Sequence, residues 1–170
     1  MTRRSFGGTT VLVTGAGGGL GRALALRFAA AGANIVAVDK DVAGIDNLAE
    51  EIRGRGAACL ALPCDVTDNA SMDAVFAEIG RAWGSLDFMV HAIAFSDKNE
   101  LKGRYADTSR ENFVRTMVIS CFSFTEIARR AGNLMKPGGS ILTLTFGGSA
   151  RVMPNYNVMG VAKAALEASV

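Results

Sequence analysis

A doubly wound α/β fold, with a parallel sheet of strand order 3-2-1-4-5, is predicted by three features of the 170-residue chain. Short apolar runs alternate five times with segments of helical periodicity. The runs are continuous rather than alternating, as in strands covered on both faces. A glycine cluster follows the first run, where such folds turn from strand into helix, and right-handed crossovers leave few other strand orders.

Each element has its own signal. Residues 9–14 read as a strand and 20–31 as a helix; 34–39 and 42–53 repeat the pair, and 59–62 with 71–83 repeat it again. Residues 88–92 form a fourth strand, and a polar loop over 96–107 leads to one long helix over 109–135. Thr108 and Glu111 have the spacing of a capping box at its start. Lys136-Pro137-Gly138-Gly139 ends it, and 141–146 is the fifth strand. A further helix begins at 155 and its pattern is still running at Val170, so we expect a single dinucleotide-binding domain over 1–170, incomplete at its C-terminus. On that reading the fifth strand is an exposed edge.

Composition narrows the class. Hydrophobic residues are 49%, charged residues 20%, and the net charge is +2, which fits a folded α/β domain and gives no basic surface for nucleic acid. The pair Arg3-Arg4 is too short to matter. The first apolar run, Val11-Leu12-Val13, stops at Thr14-Gly15, so no signal peptide is read; no stretch has the length of a membrane span, and the cytoplasm is the expected location. Cys59, Cys64 and Cys121 are odd in number and form no C-x-x-C pair, which points to core packing. His91 is the only histidine, and nothing beside it supports a metal site or a Ser-His-Asp triad.

The strongest motif is Thr14-Gly15-Ala16-Gly17-Gly18-Gly19-Leu20-Gly21. Glycines there permit a tight turn and a close approach of backbone to a pyrophosphate, which the helix N-terminus attracts. Gly15, Gly19, Leu20 and Gly21 are therefore cofactor-binding candidates in a Rossmann-type fold. Asp39 ends the second strand 18 residues beyond Gly21, placed to accept from the adenosine ribose hydroxyls and to repel a 2′-phosphate, which favours NADH over NADPH. Lys40 beside it works against that preference. Asp65 and Val66, after the third strand, fall where an adenine ring would lie.

Thr-Gly-x-x-x-Gly-x-Gly is similar to the signature of the short-chain dehydrogenase/reductases. Common members carry a Tyr-x-x-x-Lys pair, but the residue four before Lys163 is Met159. The segments His91-Ala92-Ile93-Ala94-Phe95, Leu101-Lys102-Gly103-Arg104-Tyr105 and Pro154-Asn155-Tyr156-Asn157-Val158-Met159-Gly160-Val161-Ala162-Lys163 instead resemble a divergent branch, the bacterial enoyl-acyl-carrier-protein reductases, which use Tyr-x6-Lys. This resemblance runs from about residue 64 to 170; up to about residue 60 the chain looks like a common short-chain dehydrogenase, as in a natural divergent member or a constructed chimera. It implies that Tyr156 and Lys163 are catalytic, that Lys163 also holds the nicotinamide ribose, and that Ile93 lies beside the cofactor, although Ile93 also fits ordinary packing. It further implies a substrate pocket of Phe146, Tyr156 and Met159, with Phe146 standing where the family carries a second tyrosine. Met153 and Met159 read as pocket wall or core.

The resemblance implies reduction of trans-2-enoyl thioesters by NADH in fatty-acid elongation, with acyl-carrier protein as the delivery partner and a homotetramer as the assembly. Two other readings stay open: a nucleotide-holding fragment without turnover, and a carbonyl or alcohol dehydrogenase. No metal is called for.

Overall fold

The computed structural model describes residues 5–170, so Arg3 and Arg4 lie outside the described residues. Two compact units are present, one of Met1–Ala92 with Ala128–Thr143 and one of Ile93–Ile127 with Leu144–Val170.

The first unit holds the sheet. Strands β1 (Thr10–Thr14), β2 (Asn34–Asp39), β3 (Cys59–Pro63), β4 (Leu86–His91) and β5 (Met135–Thr143) are parallel, in the order β3-β2-β1-β4-β5 that the sequence predicts. Helices α1 (Gly19–Ala30), α2 (Val42–Gly54) and α3 (Asn69–Trp83) are the crossovers. Continuous apolar runs produce this arrangement because both faces of a central strand are covered: all five residues of β1 are buried. Val11, Val13, Ile35 and Ala37 pack with Ala25 of α1 and Ile45, Leu48 and Ile52 of α2. Each fully buried aliphatic side chain contributes about 1.5–3 kcal/mol relative to exposure. Asp87 fixes the start of β1 by accepting from Thr10 N–H at 2.8 Å. Arg22 pairs with Glu51 and so ties α1 to α2.

The helical stretch between β4 and β5 departs from the sequence reading in several places. The long helix expected over 109–135 is three pieces: α4 (Arg110–Met117), a π turn (Val118–Phe122) and α5 (Ser123–Leu134). β-Branched Val118 and Ile119 stand at the break, and hydroxyls beside them compete for backbone groups: Ser123 Oγ donates to Ile119 O at 2.7 Å. The cap of α4 is Ser109, not Thr108, because Ser109 Oγ accepts from Asn112 N–H at 3.1 Å. Glu100 holds Ser109 in place, accepting from its N–H at 2.8 Å and its hydroxyl at 2.9 Å. Thr108 Oγ1 is buried without a hydrogen-bond partner among the described residues.

The fifth strand, in the first unit, begins and ends earlier than expected. Met135 already pairs with Leu86, and the Pro-Gly-Gly segment expected to separate helix from strand is absorbed as a bulge, with Gly138 at φ +95°. Unlike β1, it is an edge strand, and Ile141 and Leu142 stay 38% and 44% exposed. The last helix, α6 (Asn157–Ala168), starts two residues later than predicted.

Candidate functional site

The glycine turn leaves β1 at Thr14, whose hydroxyl accepts from Ala92 N–H at 3.3 Å. Gly15 and Gly19 have φ of +68° and +52°, a region that disfavours other residues. Gly21 is required for a different reason: a Cβ there would stand 2.1 Å from Gly15 O. The contact brings the first turn of α1 against the end of β1. Gly18 is the N-cap and offers no side chain, and the first turn of α1 has no acidic residue. The leading N–H groups of α1 are thus aimed outward with nothing of the helix's own to neutralise them, which suits an anion. Leu20 is 69% exposed, so its contribution there is its backbone.

Asp39 is built into this turn. Its Oδ2 accepts from Gly17 N–H at 3.0 Å and its Oδ1 from Asp41 N–H at 3.1 Å. Asp41 in turn caps α2, accepting from Gly44 N–H at 3.2 Å. Asp65 is exposed and Val66 buried. The hydroxyl and the N–H of Thr67 hold the Asp65 carboxyl below its ordinary range, and the charge of Lys40 acts in the same direction. Lys40, which the sequence set against Asp39, therefore also serves Asp65. His91 is fully buried, with Nδ1 3.1 Å from Thr143 Oγ1, which makes it a link between β4 and β5.

The second unit carries the Tyr–Lys pair. Tyr156 is the N-cap of α6, and its ring meets Phe146 edge-on with centroids 5.1 Å apart. Gly148 lies under that ring, where a Cβ would stand 2.4 Å from Tyr156 Cδ1. Burial pushes the phenol above its ordinary pKa, and its hydroxyl forms no hydrogen bond among the described residues. Lys163 is only 5% exposed, and Nζ donates to Leu144 O at 2.7 Å. Burial pulls its pKa down, opposed by the neighbouring Cys121. Tyr156 opens onto a pocket of about 500 Å³ together with Tyr105, Gly148, Met153 and Gly160. Of the other two residues assigned to the substrate pocket, Met159 is buried at 7% exposure and Phe146 is half exposed, and neither lines this space. Ile93 is half-buried at the start of the unit.

Sequence reasoning missed the supports of this unit. Ser120, buried in the π turn, accepts from Phe95 N–H at 2.9 Å and donates to Phe95 O at 3.0 Å, so one hydroxyl holds both backbone polar groups of Phe95. Beside it Asn112, Thr116 and Ser96 form a buried hydrogen-bonded cluster. Repeated small hydroxyl residues inside a helical stretch were the available signal, since they compete with helix hydrogen bonds. Ser120→Ala is expected to destabilise the fold by about 1–3 kcal/mol, the cost of stranding buried polar partners, read as a lowered urea midpoint at unchanged slope.

A parallel sheet of order 3-2-1-4-5, with a glycine turn at the end of β1 and an acid at the end of β2, is a Rossmann-type arrangement of the short-chain dehydrogenase/reductase class. Within that class, the profile of the family described as Enoyl-(Acyl carrier protein) reductase matches residues 15–170, and the chain belongs to this family. It is 76% identical over 109 residues to an enoyl-acyl-carrier-protein reductase (NADH) 2 of Rhizobium meliloti, covering 64% of this chain and 41% of that one. It is 62% identical over 126 residues to reductase (NADH) 1 of the same organism, covering 74% and 45%. A crystal structure of the Anaplasma phagocytophilum reductase in complex with NAD superposes with a TM-score of 0.89 at 47% identity, over 100% of this chain and 66% of that one. The chain thus spans less than half the length of the two Rhizobium relatives.

Proposed function

We propose that the chain is part of an NADH-dependent reductase of trans-2-enoyl thioesters carried on acyl-carrier protein, an activity of fatty-acid elongation, and that its two units serve one dinucleotide-binding domain. The observation that carries this reading is Tyr156. Its hydroxyl has no hydrogen-bond partner among the described residues, it lines a pocket, and it precedes a buried lysine by seven residues.

The residues fit the cofactor. The bare N-terminus of α1 and the glycine contact at Gly21 suit a pyrophosphate, and Asp39 keeps lone pairs for ribose hydroxyls after bonding Gly17 and Asp41. Asp65 and Val66 would border the adenosine. When bound, NADH would supply the hydride for the β-carbon of the enoyl thioester, and a proton from solvent would complete the reduction at the α-carbon. Tyr156 donates its O–H to the thioester carbonyl oxygen, where negative charge develops, and so stabilises the transition state more than the substrate. Lys163 has given one N–H to Leu144 O and has others for the nicotinamide ribose, adding positive charge at a desolvated position. Phe146 has no hydroxyl and supports the Tyr156 ring instead. The carbonyl-dehydrogenase alternative is disfavoured, because Met159 stands where that chemistry needs a tyrosine O–H and a thioether has no proton to donate.

Exposed Val114, Phe122 and Val161 on α4, the π turn and α6 support self-association, which we extend to a tetramer. No helix among the described residues is long and apolar enough to cross a membrane, and we place the protein in the cytoplasm.

Fluorescence titration with NADH, with and without crotonyl thioester, tests the reading. Saturable binding followed by consumption supports it. Binding without consumption favours a nucleotide-holding fragment, and absence of binding refutes both. Asp39→Asn keeps an acceptor for Gly17 N–H but removes the charge that repels a 2′-phosphate. It is expected to shift the NADPH-to-NADH affinity ratio toward NADPH by at least about tenfold, measured by the same titration.

A further inference from the structure

Tyr156 sits between two residues with left-handed backbone angles, Asn155 at φ +58° and Asn157 at φ +25°. Asparagine tolerates that region better than other non-glycine residues, but two such residues around one tyrosine require surroundings that enforce the conformation. For Asn157 the enforcement is visible. Its side-chain Nδ2 lies 3.2 Å from Glu100 O, 3.3 Å from Lys102 O and 3.4 Å from Gly103 O. Three carbonyl oxygens converging on one atom identify it as the amide NH₂, since an oxygen there would face three acceptors. The loop around Glu100 is itself anchored, because Glu100 takes the N–H and the hydroxyl of Ser109 at the start of α4. A rigid path therefore runs from the cap of α4, through the loop, to the residue that follows Tyr156. Nothing else attaches this loop to the first residue of α6 by hydrogen bonds among the described residues.

We infer that Asn157 is a positioning residue for Tyr156: its amide, gripped by the carbonyls of Glu100, Lys102 and Gly103, fixes the turn that aims the Tyr156 ring along Phe146 and over Gly148. The inference rests on Tyr156 acting on the substrate carbonyl. It assigns Asn157 no contact with substrate or cofactor. It also gives the polar loop before α4 a part in the reaction, because the loop's carbonyls hold the turn.

Two variants separate the side chain from the backbone angle. Asn157→Gly accepts φ +25° without strain but has no donor. Asn157→Asp keeps the shape but puts carboxylate oxygens against the three carbonyls. The chain contains only two tyrosines, so ring-labelled tyrosine gives a readable spectrum without cofactor or substrate. The parent chain is expected to show a nuclear Overhauser contact between the Tyr156 and Phe146 rings, and both variants are expected to lose it while the Trp83 signal stays native. Turnover with crotonyl thioester is expected to fall about 10²-fold in kcat with the KM for NADH unchanged, the size of effect of a misplacement of about 1 Å. Retention of the ring contact in either variant overturns the inference, as does loss of the contact at unchanged kcat. If Tyr156→Phe has no effect on turnover, the assigned role of Tyr156 fails, whereas the ring contact still decides whether Asn157 sets the tyrosine.

Discussion

Gly21→Ala is expected to weaken NADH binding severely and to destabilise the fold, although it replaces a helical glycine by the best helix former. On an open helix this exchange would stabilise by about 1 kcal/mol. Here the new methyl would stand 2.1 Å from Gly15 O, 2.6 Å from Gly15 C and 3.2 Å from Ala16 N. These are backbone atoms at the end of a fully buried strand, so no side chain can swing aside. Relief requires α1 to move off the turn by about 1 Å or more, and overpacking of this kind costs about 1–3 kcal/mol. The movement takes the leading N–H groups of α1 away from the position set by the Asp39–Gly17 bond, so the binding loss should exceed the stability loss. An NADH titration is expected to show at least about 100-fold weaker binding, near 2.7 kcal/mol. Gly18→Ala is the matched control: its Cβ would meet nothing within 4 Å and its backbone is extended. Comparable losses in both variants would mean that general flexibility of the turn, not the Gly21 contact, governs binding.

The difference between Gly21 and Gly18 also measures how much the sequence discloses. A run of glycines announces a phosphate-binding turn, but which glycine is needed for contact and which for its angle depends on the approach of α1 to β1. The sheet was legible because continuous apolar runs have few other uses, and β1 and β2 came out with strand ends at Thr14 and Asp39 as read. The π turn was not legible: Ser120 and Ser123 are acceptable helix residues until their hydroxyls find Phe95 and Ile119. The cap at Ser109 was mistaken for one at Thr108 because the partner that decides it, Glu100, is nine residues away and holds no place in a local capping pattern. At the candidate site, Tyr156 and Lys163 were singled out by the resemblance, whose Tyr-x6-Lys spacing they match. Their supports, Gly148 under the ring and Leu144 O on the amine, depend on folding back across a turn.

Tyr156→Phe should separate catalysis from folding more sharply than any other single change in the second unit. Its hydroxyl bonds nothing among the described residues, so its removal strands no buried partner, and the ring retains its edge-on packing with Phe146. The unfolding midpoint and the affinity for NADH are therefore expected to hold. Turnover of an enoyl thioester is expected to fall about 10²–10³-fold, or about 3–4 kcal/mol, the usual effect of removing one donor to a developing oxyanion. The pH profile gives a second, independent reading. Burial raises the Tyr156 pKa above its ordinary value of 10, so the donor proton is present through neutral pH and is lost only in strong alkali. The parent chain is expected to keep its rate up to that region and then lose it as the phenol ionises, whereas the phenylalanine variant has a low rate without that alkaline limb. Phe146→Tyr, which adds a hydroxyl to the half-exposed neighbour, should not restore turnover to the Tyr156→Phe variant if the aim of one oxygen, rather than the presence of a phenol, is what the reaction needs. Restored turnover would mean that the two ring positions are interchangeable donors, and that the place of Tyr156 at the cap of α6 is incidental to the chemistry.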